Sequence, residues 1–340
     1  MLLSHKLLNT TRASLAAAVL ALGFSHGAMA QSEPEWKPTE RVEVVVGVSP
    51  GGSMDRTARA VRDALVKGGF IPQTSVVVNK PGGGHSVAYS YTARQKGNPH
   101  VIQVTGMPIL TNRLLGRSPI NYKEFTPLGV VFSEKTAFAV QTESPIKDAR
   151  DLIDRLKRDP GGISFSVSSG VGTVQYFSVA QIARSLGLEL KKLKTVSFQG
   201  SSEGITATLG GHVDVLATAA GTIAPFVESK QLRFIALAAD ERMTDEIMAN
   251  VPTWREVGVD ASFDMWRAVI GPKNLTAPQV KFWEGALKAI TMTPEWKKLI
   301  EEEQLSPKYN TAAETAALMT KEDKMYHELL SALGLLAVKD

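Results

Sequence analysis

The residues most suited to chemistry sit in one short loop, Ser49-Pro50-Gly51-Gly52-Ser53-Met54-Asp55. Before it, Val42-Glu43-Val44-Val45-Val46-Gly47-Val48 is β-branched and almost wholly apolar, the pattern of a buried parallel strand. After it, Ala58, Val61 and Leu65 recur at helical spacing. Glycines reduce the bulk of the turn, and Ser53 or Asp55 can cap the helix that follows. A strand, a glycine turn and a helix N-terminus together present backbone N–H groups to an anion.

The construction recurs. Asn79-Lys80-Pro81-Gly82-Gly83-Gly84-His85-Ser86 follows the strand Ser75–Val78, and Ser168-Ser169-Gly170-Val171-Gly172-Thr173 follows the strand Ile163–Val167. Open α/β sheets bind ligands at the carboxyl ends of their strands, where all three turns would lie. A helix N-terminus contributes about 0.3–1 kcal/mol towards an anion. Each hydrogen bond to a charged group adds roughly 1.5–3 kcal/mol. A few such bonds reach micromolar affinity, about −8 kcal/mol, without an arginine. Carboxylates suit these turns better than nucleotides, because none carries the Walker pattern or G-x-G-x-x-G.

Two other chemistries lack parts that they need. Gly47-Val48-Ser49-Pro50-Gly51 matches the G-x-S-x-G elbow of serine hydrolases. The oxyanion hole there needs the N–H after the serine, and Pro50 has none. Metal binding is poorly supplied: there is no cysteine, and His85, His100, His212 and His327 show no ligand spacing. No cofactor and no metal are expected.

The elements around the turns alternate. Helices are predicted from Asp55 to Lys67, from Ser86 to Lys96, over Asp148–Arg158 and from Thr173 to Leu186. Further strands are predicted at Val101–Val104, Lys194–Phe198, Val213–Ala217 and Phe234–Ala238. Alternation of this kind implies an α/β fold with a parallel sheet. Thr276-Ala277-Pro278-Gln279 and Thr311-Ala312-Ala313-Glu314 match capping boxes that open helices in the tail. Leu110–Asn121 and Asp240–Ala261 show no clear pattern.

Lys6 and Arg12, an apolar alanine-rich run from Ala13 to Phe24, and Ala28-Met29-Ala30 form the template of a secretory signal peptide, residues 1–30, cleaved before Gln31. The apolar run is shorter than the roughly 20 residues of a membrane span. Gln31, not cysteine, follows the cleavage site, so a soluble periplasmic protein is expected rather than a lipoprotein. The formal charge of +4, from 38 basic and 34 acidic residues, includes Lys6 and Arg12. The remaining chain is nearly neutral, lacks basic runs with interleaved aromatics, and is not expected to bind nucleic acid.

Five motifs in order carry a family resemblance over essentially all of residues 31–340. These are Pro50-Gly51-Gly52-Ser53-Met54-Asp55 with Ala58-Arg59, Asn79-Lys80-Pro81-Gly82-Gly83-Gly84, Ser168-Ser169-Gly170-Val171-Gly172-Thr173, Gly210-Gly211-His212-Val213-Asp214, and Val251-Pro252-Thr253 with Glu256 and Gly258. The chain resembles the substrate-binding proteins of tripartite tricarboxylate transporters, the TctC or Bug family. That resemblance implies a two-domain Venus flytrap, type II-like, with two chain crossovers and a ligand cleft between the domains. It implies domain 1 at 41–138 plus 238–340, and domain 2 at 139–237. The implied ligand is a small di- or tricarboxylate or related organic acid, delivered by a monomeric, non-enzymatic binding protein to membrane permease subunits.

The implied contacts are Ser49, Gly51, Gly52, Ser53, Gly83, Gly84, Ser86, Ser168, Ser169, Gly172 and Thr173, with Asp55 organising its turn. His85 departs from the family's small residue; facing the cleft, it would donate to a carboxylate and make binding pH-sensitive near its ordinary pKa of about 6.5. Gln199 replaces a usual lysine and leaves only amide hydrogen bonding. Trp266 stands where the family often has tryptophan and is a candidate for the cleft or the core. The alternatives are a ligand-dependent sensor partner of a membrane kinase and a periplasmic hydrolase.

Overall fold

In the computed structural model, the described residues are 36–51, 53–168, 172–198, 201–243 and 246–338. The predicted leader, together with Gly52, Ser169 and Gln199, lies outside them. So do the side chains of Ser53 and Ser168.

The chain opens with β1 (Glu43–Val46), α1 (Ser53–Lys67), β2 (Val76–Asn79), α2 (Ser86–Ala93), β3 (Val101–Thr105) and α3 (Pro108–Leu114). It continues through β4 (Phe125–Gln141), α4 (Ala149–Arg158), β5 (Ser164–Ser168), α5 (Val174–Ser185), β6 (Lys194–Phe198), α6 (Ser201–Leu209) and β7 (Val215–Ala219). Then come α7 (Ala220–Glu228), β8 (Leu232–Ala238), β9 (Asp264–Pro272), α8 (Ala277–Thr291), α9 (Pro294–Glu302), β10 (Ser306–Asn310) and α10 (Ala312–Ala332).

Two lobes are built the same way. In the first, β1 pairs in parallel with β2 and β3. In the second, β5 pairs in parallel with β6 and β7. The sheet as a whole is mixed, which the parallel expectation missed: β9 runs antiparallel to both β3 and β4. β4 joins the lobes. Phe125–Lys135 pairs with β9, and Thr136–Gln141 pairs with β7 and β8.

Between β8 and β9 the chain packs against the strands of the second parallel group. Thr253 bridges to Leu237, and Trp254, Val259 and Ala261 are buried in the core of the second lobe with Phe138, Phe165 and Val215. At the start of β9, Asp264 faces Lys135 in register and is ion-paired to both Lys135 and Lys308. Both crossings therefore meet at one charged cluster.

Helix ends follow local chemistry. The hydroxyl of Thr311 accepts from the Glu314 N–H while Glu314 accepts from the Thr311 N–H, and Thr276 with Gln279 forms the same reciprocal cap. The Asp148 carboxylate caps α4 by accepting from the Arg150 and Asp151 N–H groups. The buried face of α1, Ala58, Val61 and Leu65, packs on Val44, Val46 and Ile102 and so fixes its N-terminus at the end of β1. Burying side chains of this size stabilises by about 1.5–3 kcal/mol each for Val and Leu.

Candidate functional site

The first turn is organised by one buried carboxylate. Asp55 is 1 % exposed. It accepts from the Gly51 N–H at 2.8 Å, from Arg59 Nε at 2.9 Å and Nη2 at 3.1 Å, and from Asn79 Nδ2 at 2.8 Å. Burial alone would raise its pKa. The bonds from Arg59, Gly51 and Asn79 outweigh that and hold it at about 2. Asn79 Nδ2 also donates to the Val48 carbonyl at 3.0 Å, tying the end of β2 to the loop after β1. The Gly51 N–H is thus spent on Asp55, whereas Ser49 and Pro50 lie exposed at the crest of the loop.

The second turn is left-handed throughout: Gly82, Gly83, Gly84 and His85 have φ of 124°, 56°, 59° and 79°. Three glycines take that conformation without strain, and His85 takes it at a cost of roughly 1–2 kcal/mol. Strain of this kind concentrates at functional sites. Gly83 and Gly84 are exposed, and Ser86 is half-buried at the start of α2. Asn112 of α3 donates its amide to the Gly84 carbonyl and so holds the turn from beneath.

His85 is half-buried and packs over Gly47. Burial first, and then the charge of Arg267, lower its pKa to about 4. In the ligand-free chain the imidazole is therefore held below the ordinary value of about 6.5.

The third turn meets the same helix just past its C-terminal end, next to the turn that carries Asn112. Gly172 is buried, with φ of 87°; a Cβ there would lie 2.3 Å from Leu115 Cδ1 and 3.4 Å from Arg117 Nη1. The Thr173 hydroxyl accepts from the Tyr176 N–H at the start of α5. So α3 and the residues after it contact the second turn through Asn112 and the third through Leu115. The structure gathers turns from both lobes around one short helix.

Trp266 is 1 % exposed and belongs to the aromatic core with Phe177, Phe263 and Tyr326. Its Nε1–H donates to Glu322 Oε2 at 2.7 Å. Of the two placements open to it in the sequence, the core is the one it takes. Burial pushes the Glu322 carboxyl up to about 7 despite that bond.

Sequence reasoning missed Arg267 and Glu134. Arg267 Nη2 pairs with Glu134 Oε1 at 3.1 Å, with side chains only 13 % and 7 % exposed. The available signal was a lone arginine inside the apolar run Met265-Trp266-Arg267-Ala268-Val269-Ile270.

A groove of about 1100 Å³ lies elsewhere, among α9, β10, β4 and residues 240–243, with Lys135, Trp296, Lys308 and Tyr309 in its wall. It shares no residue with the glycine turns. Among the described residues no group of three or more His, Asp or Glu could hold a metal ion. No described helix is long and apolar enough to cross a membrane.

The model of the tripartite tricarboxylate transporter family receptor, TctC, matches residues 57–335. The chain belongs to that family of solute-binding proteins. Its relatives include the UPF0065 protein in gbd 5'region of Cupriavidus necator, 25 % identical over 327 residues, covering 95 % of this chain and 96 % of that one. The fold is shared with Rpa4515 of Rhodopseudomonas palustris, solved with adipate: TM-score 0.75, 21 % identity, 87 % of this chain and 98 % of that chain. It is also shared with MatC from Rhodopseudomonas palustris, with bound malate: TM-score 0.70, 20 % identity, 86 % of this chain and 99 % of that chain.

Proposed function

We propose that this protein captures a small di- or tricarboxylate, or a related organic acid, in the cleft between its two lobes. It then delivers the ligand, unchanged, to the permease subunits of a tripartite tricarboxylate-type transporter. The observation that carries this reading is the convergence of glycine turns from both lobes on α3, with Gly84 and Gly172 each held against it. Membership of the family, and the carboxylates named with two proteins of the same fold, support the ligand class.

The seat proposed for the ligand comprises Ser49, Gly52, Ser53, Gly83, Gly84, Ser86, Ser168, Ser169, Gly172 and Thr173. The large groove by α9 is a weaker candidate. Its walls are mixed side chains, several already ion-paired, whereas the turns stand at strand ends and helix N-termini. The lobe boundaries follow the strand pairing, with crossings at 135–136 and 263–264. Ligand carboxylates that touch turns of both lobes favour the closed arrangement, because only there are all the contacts made. The protein acts as a monomer in the periplasm after removal of residues 1–30.

Thermal unfolding of the purified protein against mono-, di- and tricarboxylates tests the reading. A ligand at 100 times its Kd adds about 2.7 kcal/mol of stability, a shift of several degrees. No shift with any of them would overturn it, and so would turnover of a carboxylate ester that Ser49→Ala abolishes.

A further inference from the structure

The glycine turns account for a carboxylate seat without any arginine, yet an arginine lies directly beneath them. The Nη1 atom of Arg267 is 3.1 Å from the point where a Cβ on Gly106 would stand, with the Met54 methyl at 3.8 Å from that same point. Gly106 follows β3 immediately, and Met54 lies in the first turn of α1. The charge of Arg267 acts on His85 in the second turn and on Tyr89 in α2. The guanidinium therefore stands between the first two turns and the end of β3, where a side chain at position 106 would have displaced it.

Its pairing is incomplete. Only the Nη2 edge meets Glu134, while Nε is buried and has no hydrogen-bond partner among the described residues. A guanidinium carries five N–H donors in a planar fork that matches a carboxylate two bonds at a time. A buried donor left unmade is costly, and the edge of the fork a second anion would meet is Nη1, which lies beside Gly106. The neighbouring imidazole is neutral and does not compete for it.

We propose that Arg267 is a specificity determinant that selects ligands carrying a second carboxylate. The first carboxylate rests on the turns, and the distal one engages the free part of the Arg267 fork. This rests on the reading of the turns as a carboxylate seat. The ligand class it names is an aliphatic dicarboxylate long enough to reach from the turns to the end of β3.

Calorimetric titration with malate and adipate, each against its own monoamide, tests the assignment. The wild-type protein should prefer at least one diacid over its monoamide by about 10- to 100-fold. Arg267→Gln should bring that ratio close to one while leaving monoamide affinity within about threefold, an outcome that loss of a merely structural ion pair would not produce. The double variant Arg267→Gln/Glu134→Gln, which removes both charges of the pair, provides a charge-balanced comparison.

A wild-type ratio near one overturns the proposal whatever the variants do. An unchanged ratio in a folded variant overturns it while leaving the carboxylate seat intact. Failure of the wild type to bind any diacid or monoamide overturns the seat and this assignment together.

Discussion

The side chain of His85 occupies the space above the bare Cα of Gly47: a Cβ built on that glycine would meet His85 Nδ1 at 2.6 Å and its Cβ at 2.7 Å. The first and second turns touch through this contact. Because the His85 backbone also lies within 2.9 Å of that Cβ position, rotation of the imidazole alone cannot relieve the clash. Gly47→Ala should therefore separate the turns. It should cost about 1–3 kcal/mol in denaturant unfolding and weaken carboxylate binding in the same protein. Unchanged affinity in Gly47→Ala would remove this contact from the account of the site.

Asp55 makes a pH-dependent contribution whose sign is fixed. Its folded pKa of about 2 lies below the usual value of 3.8, so its stabilisation is present above 3.8 and is lost as pH falls through 2. Asp55→Asn should lower stability at pH 7 by about 2 kcal/mol, and the gap to wild type should close between roughly pH 4 and 2. Urea unfolding across that range measures it. A gap that stays constant with pH would mean that the carboxylate's charge is not what holds the turn.

Glu322 shows the opposite sign. Its folded pKa of about 7 lies above 4.5, so stability is greatest below 4.5 and falls as pH rises through 7. Glu322→Gln keeps an acceptor for Trp266 Nε1–H and removes the charge. It should be more stable than wild type at pH 8, by at most about 3 kcal/mol because the side chain is partly solvated, and equal to it near pH 4. Equal melting temperatures at pH 8 would refute the raised pKa.

His85 supplies a prediction about ligand affinity. With the free protein's imidazole neutral down to about pH 4, its titration contributes nothing to carboxylate affinity between about pH 6.5 and 8. Calorimetry at three pH values should give a flat affinity for a diacid already ionised throughout. A tenfold rise on going down to pH 6.5 that is absent in His85→Asn would show that the ligand draws a proton onto His85.

What the sequence revealed was what local chemistry encodes. The run from Val42 to Val48, the following turn and the spacing of Ala58, Val61 and Leu65 specify β1 and α1 from within about 25 residues. The caps at Thr276 and Thr311 are equally local. β4 was missed because its centre, Ser133-Glu134-Lys135-Thr136, is polar though buried or nearly so. Such a stretch makes sense only as the point where one strand leaves the first lobe and enters the second.

The Arg267–Glu134 and Asp264–Lys135 pairs depend on the antiparallel register of β9 on β4, between segments some 130 residues apart. Trp266 and Arg267 are adjacent and point to opposite faces, so one residue of register decides which faces the aromatic core. Asp55 is an intermediate case: Gly51 and Arg59 are neighbours in sequence, whereas Asn79 arrives only when β2 pairs with β1.

The most direct test of the central claim is an isothermal titration of the purified protein with malate and adipate. The account predicts saturable one-to-one binding of a diacid in the micromolar range, about −8 kcal/mol, with the ligand recovered unchanged. Absence of binding by both diacids and by citrate, in protein that unfolds cooperatively, would contradict it.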